Sequence, residues 1–188
     1  MTEQQPYEVL RRGSGLELRR YPEHVVAQVR VQGTFERAGT IAFGALFGYI
    51  NGRNRSRTAV AMTAPAVVQL PSGAQKVAMT APVVQAEAGE GEHTVAFVLP
   101  AGLTELTAPE PTDPRVEIRT VPPATVAALR YSGRWTKESY QRHLRGLLAA
   151  LAAEGLAPVG EPWFARFDPP FTPWFLRRNE VLVEVTGA

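Results

Sequence analysis

The chain has 188 residues, of which 45% are hydrophobic and 20% charged, the make-up of a globular protein long enough to bury a core without a metal or disulfide staple. It contains no cysteine, which excludes disulfide frameworks, thiolate metal sites and thiol catalysis. Of 18 acidic residues only Asp113 and Asp168 are aspartates, and the net charge of +2 rests on arginines spread over both halves, with Lys76 and Lys137 the only lysines. Neither a carboxylate-rich metal site nor a nucleic-acid footprint is expected.

The N-terminal Met1 to Pro6 has no basic or apolar leader pattern, and no apolar run approaches the ~20 residues that span a bilayer. A cytoplasmic protein is expected. Strands are predicted over 16–21 and 25–31, joined by a proline turn, from their alternating or β-branched runs. Gly33 then breaks the strand before a helix whose Phe43, Leu46, Phe47 and Ile50 have the spacing of one buried face, ended by Asn51-Gly52. Strands over 60–70, 77–85 and 94–99 complete this half, and the segment 100–114, with Pro100, Pro109, Pro111 and Pro114, reads as a linker.

The second half follows the same plan. Strands are expected over 116–121 and 125–131, and Gly133 again precedes a helix. That helix is capped by Thr136, striped by Tyr140, Leu144, Leu147, Leu148 and Leu151, and ended by Gly155. Further strands are predicted over 163–167 and 174–185. The halves also match residue for residue: Glu17, Arg19, Pro22, Val26, Ala27, Arg30 and Gly33 each recur one hundred positions on, seven of the nineteen positions from 17 to 35. An internal duplication is therefore expected. Each half has one helix and a few strands with a single apolar face, so neither closes a core alone. The expected fold is α+β: a distorted antiparallel β-barrel from two β-α-β-β units, with two helices packed outside and a pseudo-twofold axis. Residues 1–188 would form one domain, with halves at about 6–100 and 115–186.

A shorter repeat is more specific. Ala61-Met-Thr-Ala-Pro65 returns as Ala78-Met-Thr-Ala-Pro82. Together with Tyr49-Ile-Asn-Gly-Arg-Asn54 before it and Arg166-Phe-Asp-Pro-Pro-Phe171-Thr-Pro-Trp-Phe-Leu176 near the C-terminus, it makes the sequence similar to the SOUL heme-binding protein family over roughly residues 6–185. That resemblance implies the duplicated barrel and the binding of heme or a related tetrapyrrole. It also implies kinship with gyrase-inhibitor-like effector-binding domains, which hold small hydrophobic, often cationic, molecules between their halves.

Such a ligand asks for an apolar slot, basic groups for its carboxylates and an imidazole or thioether for iron. Met62 and Met79, at equivalent places in the short repeat, offer adaptable thioethers. Arg53, Arg55 and Arg57 alternate in the loop after the first helix and suit a carboxylate clamp. Phe171, Trp174 and Phe175 offer either a pocket wall or a plug that closes the barrel. Three histidines are open to iron: His24 in a turn between strands, His93 after an acidic glycine-rich loop where exposure is expected, and His143 at the helix edge. The resemblance selects none of them: the metal ligand stays open, with His24 one candidate, and so does a ligand held without axial coordination. Glu180 interrupts an apolar final strand and needs a partner such as Arg177 or Arg178 if buried; in a sensor or sequestering module it would receive a small hydrophobic cation. No Gly-x-Ser-x-Gly, Walker loop, Gly-x-Gly-x-x-Gly or His-Glu-x-x-His is present. A non-enzymatic binder without nucleic-acid partner is expected.

Overall fold

Alternation decides which face of each strand is covered. In the computed structural model, which describes residues 3–13, 15–56 and 74–186, strand β4 (His24–Gln32) turns Val25, Ala27, Val29 and Val31 into one core and His24, Val26 and Gln28 the other way. The chain before it forms β1 (Glu3–Gln4), β2 (Glu8–Gly13) and β3 (Leu16–Tyr21). Helix α1 (Phe35–Ile50) follows, ended by Asn51 and by Gly52 at a φ of 108° that favours glycine. Next come β5 (Asn54–Arg55), β6 (Thr80–Gly89), β7 (Glu92–Val98), β8 (Glu110–Pro111), β9 (Glu117–Val121) and β10 (Ala124–Tyr131). Helix α2 (Lys137–Ala153) begins at Thr136, whose side chain accepts from the Ser139 amide at 3.2 Å. The chain closes with β11 (Ala157–Arg166), a 3₁₀ turn (Trp174–Leu176) and β12 (Asn179–Thr186). The predicted strand over 60–70 lies outside the described residues. The strand expected from 174 starts only at Asn179, because the segment before it folds as the 3₁₀ turn.

One sheet takes strands from both halves in the order β2-β3-β10-β12-β11-β6-β7-β4-β9, with β1 added parallel to β6. Both helices lie on one face, α1 against β4 and β7, and α2 against β10, β11 and β12. The sheet does not close into the expected barrel: among the described residues β2 and β9 are unpaired edges. Their composition explains this. Both edges are short and expose charged side chains, Arg11 and Arg12 on one and Glu117 and Arg119 on the other, a common way of keeping an edge unpaired.

The ladder registers recur between the halves. His24 faces Val121 where β4 meets β9, and Ala124 faces Tyr21 where β10 meets β3. Val84 faces Ala96 as Trp163 faces Leu182. At the centre β6 and β11 pair antiparallel with Gln85 opposite Phe164. There the Gln85 amide donates to the Phe35 carbonyl at 2.9 Å and accepts from Arg166 at 2.7 Å, joining helix α1 to the seam.

The helix faces differ from the spacing-based expectation. Leu46 and Ile50 of α1 are buried, but Phe43 and Phe47 are exposed and stack on each other. The small residues Ala38, Ala42 and Ala45 take their place against the sheet, so the backbone approaches closely and the bulky rings are turned aside. In α2, Tyr140, Leu147 and Leu151 are buried, whereas Leu148 faces outward. Leu147→Ala is expected to lower stability by about 2–5 kcal/mol through a buried cavity, and Leu148→Ala by less than about 1 kcal/mol. Urea unfolding of the two variants checks this, and equal losses would contradict the assigned face.

Candidate functional site

The sheet face opposite the helices carries an apolar cleft of about 320 Å³, near the lower bound of ~300–1,000 Å³ for small-molecule sites. Alternation builds it. Val26 of β4, Val84 of β6, Ala96 of β7, Val126 of β10, Trp163 of β11 and Leu182 of β12 all project from this face. Tyr21, His24 and Glu184 add its polar groups.

His24 Nδ1 lies 3.0 Å from the Pro22 carbonyl oxygen. A carbonyl only accepts, so Nδ1 carries the proton and Nε2 of the neutral ring carries the lone pair. Burial lowers the His24 pKa from the ordinary 6.5, against the opposing effect of that hydrogen bond. A neutral imidazole whose Nε2 carries the lone pair has the donor chemistry of one kind of axial heme ligand. The described residues therefore fit such a group in apolar surface and in one nitrogen ligand.

Beside the cleft, Glu180 has no exposed surface and Arg19 is 2% exposed. Arg19 grips the carboxylate with two nitrogens, at 2.6 and 3.1 Å, and Arg178 adds bonds of 2.7 and 3.1 Å. Burial opposes the Arg19 cation, yet the bonds and charge of Glu180 prevail and hold its pKa above the ordinary value. The Arg19 guanidinium also reaches the Tyr21 hydroxyl at 3.2 Å and lies 4.4 Å from the Tyr7 ring centre. Past this cluster a second depression is bordered by Arg12, Arg130 and Arg178. It lies on the same sheet face as the cleft, since Arg19 and Ala128 border the depression while Tyr21 and Val126, two residues along the same strands, line the cleft.

The sequence candidates are dispersed. His24 lines the cleft rather than standing in an open turn. Glu180 finds Arg178 as a partner, as expected, and also Arg19. Met79 is partly buried against the α1 core, and Arg53 and Arg55 are exposed around the small β5–β8 pair, none of them lining the cleft. Arg57 and Met62 lie outside the described residues. Phe171, Trp174 and Phe175 are exposed and neither line the cleft nor plug the fold. His93, expected to be exposed, is 3% exposed and faces the Phe35 ring, because β7 alternation turns it to the helix side. His143 stacks on Tyr131 at the helix edge. Tyr21, Arg130, Trp163 and Glu184 were not singled out. For Arg130, Trp163 and Glu184 the signal is parity, since each shares a strand face with an apolar cleft residue, Val126, Ala165 and Leu182 respectively; Tyr21 shares its face only with Glu17 and Arg19. Among the described residues no cluster of three or more His, Asp or Glu side chains is placed to hold a metal ion.

A family model described as SOUL heme-binding protein matches residues 2–184. The fold is similar to that of the EcmrR C-terminal domain, with a TM-score of 0.62 at 11% identity, covering 97% of this chain and 99% of that one. It is also similar to EcmrR in a complex with DNA (TM-score 0.62, 12% identity, covering 92% of this chain and 57% of that one). A hydrolase from Listeria innocua matches with a TM-score of 0.60 at 11% identity, covering 99% and 94% of the two chains. At such identities the likeness shows the fold alone. No curated protein matches the chain.

Because Glu180 is held by two cations and reached by no water, Glu180→Ala strands buried charge and is expected to cost about 3–5 kcal/mol. The paired replacement Arg19→Met with Glu180→Leu is expected to recover much of that. A loss below about 1 kcal/mol for Glu180→Ala in chemical denaturation would contradict this role.

Proposed function

This chain belongs to the SOUL heme-binding protein family, and from that premise we propose that it binds heme or a related tetrapyrrole against the open sheet face without catalysing a reaction, as a carrier, buffer or chaperone. One observation carries the reading: an apolar cleft with a neutral imidazole in its wall lies on the same sheet face as a depression bordered by Arg12, Arg130 and Arg178. Trp163, Leu182 and Val126 would cover the flat ring system, and His24 Nε2 would be the axial donor. Exposed Arg130 would attract carboxylates that project from the cleft, beside Arg12, which pairs with Glu17 at 3.1 Å. Heme, when bound, supplies the iron that takes this donor and the two carboxylates that take the arginines.

The duplication belongs to this proposal. The recurring registers and the sheet shared by both halves support reading residues 1–188 as one domain made from two copies of a single unit. A cytoplasmic location without a nucleic-acid partner is also part of the proposal, from the sequence alone. Among the described residues no helix is long and apolar enough to cross a membrane.

A second reading has its own observation. Glu184 is an exposed carboxylate in the cleft wall near Trp163 and Tyr21, and no arginine or lysine is among the described residues of that wall. A small hydrophobic cation would be sequestered there. Glu184 replaces Glu180 in this reading, since Glu180 is already neutralised by Arg19 and Arg178.

Titration with hemin is expected to give a saturable Soret shift near one equivalent. His24→Ala should remove the nitrogen-ligand signature, and Arg130→Glu should weaken binding several-fold. A thermal shift with a lipophilic quaternary ammonium, lost in Glu184→Gln, together with no hemin saturation, would favour the second reading and defeat the first. The pH dependence has a definite sign. With the folded pKa of His24 below 6.5, Nε2 keeps its lone pair at pH 6.5, and the axial signature fades only under more acidic conditions. In the free protein the unfolded imidazole takes its proton first, so the His24 contribution is present above pH 6.5 and is lost as the pH falls through the folded value.

A further inference from the structure

The 3₁₀ turn and the loop before it present large apolar side chains outside every core cluster. Phe171, Trp174, Phe175 and Leu176 are 86%, 50%, 58% and 65% exposed. Contiguous exposure of this kind marks an interaction site rather than ordinary surface.

The loop is braced in this exposed form. Arg177 donates to the Thr172 carbonyl at 2.8 Å and to the Pro170 carbonyl at 2.7 Å. The Thr172 amide donates to Pro169 at 3.0 Å, and the Arg178 amide donates to the Asp168 carboxylate at 2.6 Å. Pro169, Pro170 and Pro173 restrict the backbone further. The ordering cost of presenting these rings has thus been met before any partner arrives.

The surrounding charge is cationic. The Arg134 guanidinium lies 5.6 Å from the Trp174 ring centre, and Arg177 lies 4.2 Å from that of Trp135. From Pro169 to Arg178 there is no acidic residue. A stable protein dimer needs about 800 Å² from each partner, drawn from ~20–30 residues, more than one short loop supplies. A bilayer interface asks for less: a small apolar wedge with an indole at headgroup depth and arginines beside the phosphates.

We propose that the 169–176 loop is a membrane-docking element, inserting Phe171, Trp174, Phe175 and Leu176 into the interface of an anionic bilayer with Arg134 at the headgroups. The full-length chain is floated with phosphatidylcholine vesicles, with and without phosphatidylglycerol. The wild type is expected to float with the anionic vesicles, and Phe171→Ser/Trp174→Ser/Phe175→Ser to lose at least about tenfold in partitioning with an unchanged unfolding midpoint. Arg134→Glu is expected to weaken binding to anionic vesicles. Should the triple variant fail to fold, Trp174→Phe decides: quenching of tryptophan emission by brominated lipid must fall while Trp135 and Trp163 remain. A wild type that stays unbound to anionic vesicles overturns the proposal, as does a folded triple variant that floats equally well. So does a wild-type dimer in sedimentation velocity that the triple variant dissolves, since the loop would then join copies of the chain.

Discussion

A carboxylate shut off from water, Glu180, is the constraint around which the open face of the sheet is organised. An ionised group in that position costs several kcal/mol unless bonded on all sides, and here two guanidinium groups supply those bonds. Arg19 comes from β3 and Glu180 from β12, with β10 between them, so the pair holds together three strands drawn from both ends of the chain. Arg178 extends the effect, for its backbone is tied to Asp168 and its guanidinium lies 3.9 Å from the Phe167 ring centre. The cluster therefore sets where the 3₁₀ loop begins as well as how the cleft ends.

Recurring ladder registers with unlike side chains shape the cleft. Equivalent register positions hold His24 and Ala124, Val84 and Trp163, Ala96 and Leu182. One half contributes the imidazole and the smaller residues; the other contributes the indole and the larger ones. The ligand proposed for this face would meet different chemistry on each side of the β6–β11 seam, which would favour one orientation.

Much of this architecture was legible because it is local. The turn at Pro22 and its counterpart at Pro122, the cap at Thr136 and the stop at Gly52 depend on neighbours within a few residues. Edge behaviour is not local: whether β2 meets β9 depends on residues more than one hundred positions apart, and the charges that keep them separate are ordinary surface charges in a linear reading. The α1 face misled for a related reason, since bulky Phe43 and Phe47 have the right spacing but Ala38, Ala42 and Ala45 allow a closer packing that excludes them. At the site, Arg178 as a partner of Glu180 was legible because it lies two residues away. Arg19 was not, because their contact is made by strand order. The position of His24 was readable in principle, since it shares strand parity with Val26 and opposes the Val25–Val31 core positions.

With Glu180 neutralised internally, the charges that remain include Glu184 on the cleft wall and, at the depression past its end, exposed Arg130 and the Arg12–Glu17 pair. Exposed charges interact weakly through water and are screened within about 8–10 Å at physiological salt. Neither group can supply most of the binding free energy of a large flat ligand. Apolar contact with Trp163, Leu182 and the valines of the face scales instead with covered area, at roughly 25 cal/mol per Å², and is insensitive to ionic strength by comparison. Under the proposed function, affinity on this face would follow apolar area and flatness, while charge sign would set orientation, with an anionic group drawn toward Arg130 and a cationic one toward Glu184. Raising the salt concentration separates the two contributions, because it weakens the orienting charges and leaves the apolar contact largely intact.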